Sequence, residues 1–123
     1  MTEAGGRASD VMLEAPNTVG PATTVAQARA VFESPRQKLL VVCDGDRYVG
    51  AVRRDGLDGA SAEDAIEAHL AADVPVMLAD DPSDRVPELV EASGLTRIPV
   101  VDAAGDLVGL VCFNPREATF CVR

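Results

Sequence analysis

Five basic side chains gather in one stretch of an otherwise acidic chain: Arg36, Lys38, Arg47, Arg53 and Arg54. Guanidinium forks grouped in this way suit an oxyanion, a phosphate above all, because their paired N–H donors match its oxygens. The plainer reading is strand-end charge that keeps the surface soluble and pairs with Asp44, Asp46 and Asp55. On sequence alone both stay open. The other reactive side-chain types offer less. His69 is the one histidine, and it falls in Ile66-Glu67-Ala68-His69-Leu70, which reads as a helix, so a partly exposed structural histidine is expected. Cys43, Cys112 and Cys121 are an odd number at wide spacings without a CxxC pair, which argues against structural zinc and against a disulfide framework. Cys43 and Cys112 end apolar runs and are expected to be small buried hydrophobes, with Cys121 in the tail. No histidine neighbours any of them, no nucleophile with its base can be assembled, and the expectation is a non-enzyme with no metal centre.

The 123 residues carry 11 Lys and Arg against 20 Asp and Glu, a formal charge of −9 that sets the chain against nucleic acid. With 47% hydrophobic residues, disorder is not expected, and the length fits one domain or two small fused ones. No apolar run reaches the roughly 18 residues of a membrane span, and the start lacks a signal-peptide stretch. The expected setting is the cytoplasm.

The elements that must hold the basic cluster come in duplicate. Leu39-Leu40-Val41-Val42 and Ile98-Pro99-Val100-Val101 both run into a polar turn, after which Val49-Gly50-Ala51-Val52 matches Val108-Gly109-Leu110-Val111. Both matches lie 59 positions apart, and the offset extends back to Ala30-Val31 against Leu89-Val90. Two copies of one small unit follow. In the first, Thr24-Val25-Ala26-Gln27 fits a capping box, Val25, Ala28, Val31 and Phe32 share a helical face, and Pro35 stops the helix. Lys38 to Cys43 then reads as a buried strand, Asp44-Gly45-Asp46 as a turn and Tyr48 to Arg53 as the returning strand. In the second, Ser83 or Asp84 caps a helix with Pro87 in its first turn and Gly94 as its left-handed stop. Its hairpin is Arg97 to Asp102 and Leu107 to Cys112, with Pro99 read as a strand start or bulge. Short segments before each helix, Asn17-Thr18-Val19 and Pro75-Val76-Met77-Leu78, add a strand apiece. Ser61-Ala62-Glu63-Asp64 opens a connecting helix.

This grammar resembles a tandem pair of CBS domains, the Bateman module, over nearly the whole chain. The opening Ala8-Ser9-Asp10-Val11-Met12, then Thr18-Val19, and the stretch Arg97-Ile98-Pro99-Val100-Val101-Asp102 with Gly105 and Leu107-Val108-Gly109 carry the likeness. It implies an α/β fold of two strand-helix-hairpin repeats, residues 8–57 and 74–119, joined by 58–73. The repeats are expected to pack through their sheets with pseudo-twofold symmetry, since a unit of about 50 residues has too small a core alone. It further implies a stand-alone regulatory module that binds an adenosine-containing nucleotide (AMP, ADP, ATP or S-adenosylmethionine) between the repeats and signals to an unidentified protein partner, often as a homodimer.

In nucleotide-binding members, Ser or Thr stands third after the strand glycine and an acid sixth. Here Arg53 and Gly56 follow Gly50, with Asp55 one residue early, and Cys112 and Pro115 follow Gly109, with Asn114 the nearest polar group. The expected first-repeat contacts are Asp55 to the ribose hydroxyls and Arg53, Arg54 and Lys38 to phosphate, beside Thr18 and Leu39. Ile98 and Asn114 are the second repeat's contribution. The alternative, favoured by the displaced motif, is a ligand-free dimerisation or protein-interaction module.

Overall fold

The computed structural model describes residues 6–13, 18–35, 37 and 39–120. In chain order its regular elements are α1 (Ala8–Val11), β1 (Thr18–Val19), α2 (Val25–Val31), β2 (Leu39–Asp44), β3 (Arg47–Arg53), β4 (Met77–Leu78), α3 (Val86–Ser93), β5 (Arg97–Val101), β6 (Leu107–Asn114) and β7 (Thr119–Phe120). Tight 3-10 turns occupy Arg54–Leu57, Ile66–His69 and Ser83–Arg85. The fold is α/β, with two tandem strand-helix-hairpin units. One sheet has the order β1-β2-β3 and the other β4-β5-β6-β7, with β1 parallel to β2, β4 parallel to β5 and both hairpins antiparallel.

Local chemistry accounts for the helices. Thr24 accepts the amide of Gln27 at 3.2 Å while the Gln27 side chain accepts the amide of Thr24 at 3.0 Å, closing the box on α2. Before α3, Ser83 opens a 3-10 turn rather than capping with its side chain, and Pro87 stands in the first helical turn, where no N–H is needed. Gly94 ends the helix at φ 74°, in the left-handed region, and its amide reaches the carbonyl of Val90. Val25, Ala28 and Phe32 from α2 bury against Leu40, Val42 and Val52. Val86 and Val90 do the same against Ile98, Val100 and Val111.

Three expectations change. The connecting helix is a single 3-10 turn, Ile66–His69, after an irregular stretch, because Ile66 is drawn into the core of the first sheet at 0% exposure and its amide is used by the carbonyl of Thr23. Pro99 is neither a strand start nor a bulge, since it pairs with Leu110 inside β5. The amide and carbonyl of Leu110 both serve Leu13, so Pro99 and Leu110 are a non-hydrogen-bonded pair and the missing N–H faces away from β6. On that side β4 reaches only Val100 and Val101. The hairpins also differ in register: Val41 faces Ala51, whereas Val100 faces Gly109 and not Leu110. Gly45 turns the first hairpin tightly, while in the second Asp102 accepts the amides of Ala104 and Asp106 and holds a wider loop.

Compact grouping follows a different line from sequence order. One unit takes in Asn17–Asp73, and the other joins Met1–Pro16 to Val74–Arg123. Ala8 is wholly buried in the core of the second repeat, and Leu13 exchanges two backbone hydrogen bonds with Leu110, at 2.7 and 2.8 Å. Correspondingly, Ile66 enters the core of the first repeat and the amide of Ala71 donates to Ala51. The first repeat's opening segment thus joins the second sheet, and the connecting segment joins the first.

Candidate functional site

The strand end singled out by the sequence lies where β2 begins and β3 finishes. Leu39 and Arg53 are directly paired there, and the chain turns at once into the 3-10 turn that carries Arg54 and Asp55. Thr18 is exposed on the neighbouring edge strand, opposite Val41. Leu39 is 4% exposed, so its side chain belongs to the wall. Lys38 and Arg36 lie outside the described residues. Arg47 pairs with Asp44 at the far end of the same hairpin, about 20 Å along the strand from Arg53. The basic cluster is therefore divided by the length of β3, since residues close in sequence on a strand are spread out in space.

The two arginines at the turn have protein partners. Arg53 donates from Nε to Asp73 at 3.0 Å, with its side chain 22% exposed. Asp73 lies 20 residues away, which is why pairing with Asp44, Asp46 or Asp55 looked equally natural in the sequence. Arg54 points back along α2 and donates to the carbonyls of Phe32, Ser34 (2.6 Å) and Gln37 (2.8 Å), with its guanidinium 5.5 Å above the Phe32 ring. A guanidinium on the carbonyl end of a helix meets both the unsatisfied acceptors and the negative dipole end. Arg29 adds a second tie, to the carbonyls of Leu57 (3.0 Å) and Ala60 (2.7 Å). Asp55 is different: its carboxylate is exposed and, among the described residues, has no hydrogen-bond or ion-pair partner.

Arg54→Ala is expected to lower stability by about 2 kcal/mol, the net of several partly exposed charge-assisted bonds. A shift in the urea midpoint measures it. Arg54→Lys should recover only part of the loss, because one ammonium does not span three carbonyls as a planar fork does.

In the second repeat the corresponding strand end is built otherwise. Ile98 is fully buried and packs the core, and Asn114 is folded into its own turn, accepting the amide of Arg116 at 3.0 Å and donating to Glu117 at 3.2 Å. These two residues belong to a different compact unit from Thr18, Leu39, Arg53, Arg54 and Asp55.

His69, at the end of the 3-10 turn rather than on a helix, bonds Asp64 at 3.0 Å. Cys43 is a buried free thiol, and burial, with the nearby Asp46 charge, pushes its pKa up, which makes it a poor nucleophile at neutral pH. Its neighbour Tyr48 is pushed up to about 12, first by burial and then by Cys43. Cys112 corrects the sequence reading, since it is disulfide-bonded rather than a lone hydrophobe. Cys121 lies outside the described residues.

Residues 8–63 match the CBS domain family. No curated protein matches the sequence. Among solved structures, the cystathionine β-synthase pair domain of SO5017 from Shewanella oneidensis MR-1 is 24% identical at a TM-score of 0.80, over 94% of this chain and 69% of that one. CBSX2 in complex with AMP is 21% identical at 0.73, over 88% and 90%. The CBS domain pair of MJ0100, in complex with 5′-methylthioadenosine and S-adenosyl-L-methionine, is 20% identical at 0.70, over 89% and 90%. At these identities the likeness is one of fold.

Proposed function

We propose that this chain, which is a CBS domain pair, is a non-catalytic regulatory module that binds an adenosine-containing nucleotide at the strand end of its first repeat. The observation that carries the reading is Asp55, an exposed carboxylate without a protein partner among the described residues, set in the turn directly after Arg53. A carboxylate is acceptor-only and can take both hydroxyls of a ribose. Thr18 on the adjacent edge strand is a further polar group for the nucleoside. Arg54 is committed to the end of α2, so its part is to hold the turn in place, and the phosphate falls to Arg53 in competition with Asp73. Occupancy would signal to a partner only by favouring one arrangement of the protein over another. Solved relatives with AMP, and with 5′-methylthioadenosine and S-adenosyl-L-methionine, support the choice of ligand class.

A thermal-shift panel with AMP, ADP, ATP and S-adenosylmethionine tests it, since a ligand at 100 times its Kd adds about 2.7 kcal/mol to stability. For the best ligand, Asp55→Ala is expected to weaken binding about tenfold or more by calorimetry. Arg53→Ala should weaken ATP more than adenosine. Equal affinity of wild type and Asp55→Ala sinks the site assignment. The second reading, a homodimerising or partner-binding module without a ligand, is favoured by the protein partners that Arg53 and Arg54 already have, and no shift with any nucleotide would select it.

A further inference from the structure

The second repeat has a cavity of about 700 Å³ between α3 and the end of β6, walled by Val90, Phe113 and Phe120 and rimmed by Asp84 and Glu91. The duplication shows what the first repeat puts in the matching place. There Arg54 lies over the ring of Phe32, is held to the end of the helix, and lines with Phe32 a smaller cavity of about 450 Å³. At 59 positions on, Arg54 becomes Phe113 and Phe32 becomes Glu91. The aromatic ring is kept and an acid is added, but the cation that stood between helix and strand is gone. Phe113 and Phe120 meet edge to face, with centroids 5.4 Å apart and planes at 71°, and both line the cavity.

An independent feature points the same way. Ser83 is 4% exposed, is the buried polar residue of the described core, and stands in the wall of this cavity. Its amide serves the carbonyl of Gly6, yet among the described residues its hydroxyl has no partner. A buried hydroxyl without a hydrogen bond is destabilising, and a ligand's N–H would offset that cost.

From these features we infer that the cavity binds a small organic cation, a planar amidinium or guanidinium on an apolar body. The apolar body packs on Val90 and the two rings, the cation gains from the ring faces and from Asp84 and Glu91, and the Ser83 hydroxyl accepts one N–H. This site uses none of the residues assigned to the nucleotide.

Benzamidine is the probe, with its neutral isostere benzamide as the control, each titrated into the whole chain by calorimetry or ligand-observed NMR. A nine-heavy-atom cation in an open cavity is expected to bind with a Kd of about 1 mM, and benzamide at least about tenfold more weakly. Glu91→Gln, an exposed change that leaves the core alone, should weaken benzamidine severalfold. Glu88→Gln, which removes the same charge from α3 outside the cavity wall, should not. Ser83→Ala should weaken it further than its effect on thermal stability explains. Equal binding of benzamidine and benzamide, equal effects of the two Glu variants, or no benzamidine binding at about ten times the expected constant overturns the site.

Discussion

A chain shortened to begin at residue 14 is expected to lose the fold of its second repeat first, with the first repeat weakened less because its own core contacts are all retained. The missing piece includes Ala8, wholly buried in the second core, and Val11 and Met12 packed against it. Five backbone hydrogen bonds go with it: Ala8 to Asp81, Ser9 to Ala79, Ser83 to Gly6, and the exchanged pair between Leu13 and Leu110. At roughly 1 kcal/mol net per bond plus a few for apolar burial, the loss is on the order of 5 kcal/mol. A unit of this size has roughly 0.05–0.15 kcal/mol of stability per residue, so the loss is comparable with everything it has. The first repeat closes its sheet with Ile66 and Ala71, which the shortened chain retains. Hydrogen exchange resolved by segment is the measurement. Protection should vanish over β4, β5 and β6 and fall less over β2 and β3, and undiminished protection over β4, β5 and β6 would show that the opening segment does not close the second sheet.

That exchange of segments is the part of the fold the sequence did not reveal. Periodicity located both hairpins, the helices α2 and α3 and the capping box at Thr24 and Gln27, because each depends on residues within a few positions of one another. The constant offset of 59 also revealed the duplication. Which sheet receives Ala8 or Ile66 depends on contacts far along the chain, 97 residues between Leu13 and Leu110, 73 between Ala8 and Asp81 and 43 between Ile66 and Thr23, and a short apolar stretch carries no mark of its destination. The site divides along the same line. The positions of Arg53, Arg54 and Asp55 at one strand end were legible, since they follow the returning strand directly. Their partners were not: Asp73 lies across an irregular stretch, and the carbonyls of Phe32, Ser34 and Gln37 are backbone groups that every sequence possesses. Arg54 consequently read as a phosphate ligand, when its five donors are largely turned to the end of α2.

The duplicated glycines give the last expectation, and they separate two environments that the sequence makes look equivalent. A Cβ on Gly50 would stand 3.0 Å from the end of the Leu70 side chain, a group that can rotate away. A Cβ on Gly109 would stand 2.6 Å from the backbone oxygen of Leu13 and 2.8 Å from the sulfur of Met12. The oxygen is fixed by the two bonds between Leu13 and Leu110, so relief requires the opening segment to lift off β6. Gly109→Ala is therefore expected to cost about 3 kcal/mol, and Gly50→Ala under about 1 kcal/mol, in urea-unfolding midpoints. Trimming the movable neighbour distinguishes the causes. If the sulfur were the obstacle, Met12→Ala would rescue Gly109→Ala, whereas a backbone clash leaves the double variant no more stable than the less stable single one. Rescue, or equal costs at the two glycines, would mean that Gly109 is not held against Leu13 and that the second sheet is closed less tightly than this geometry requires.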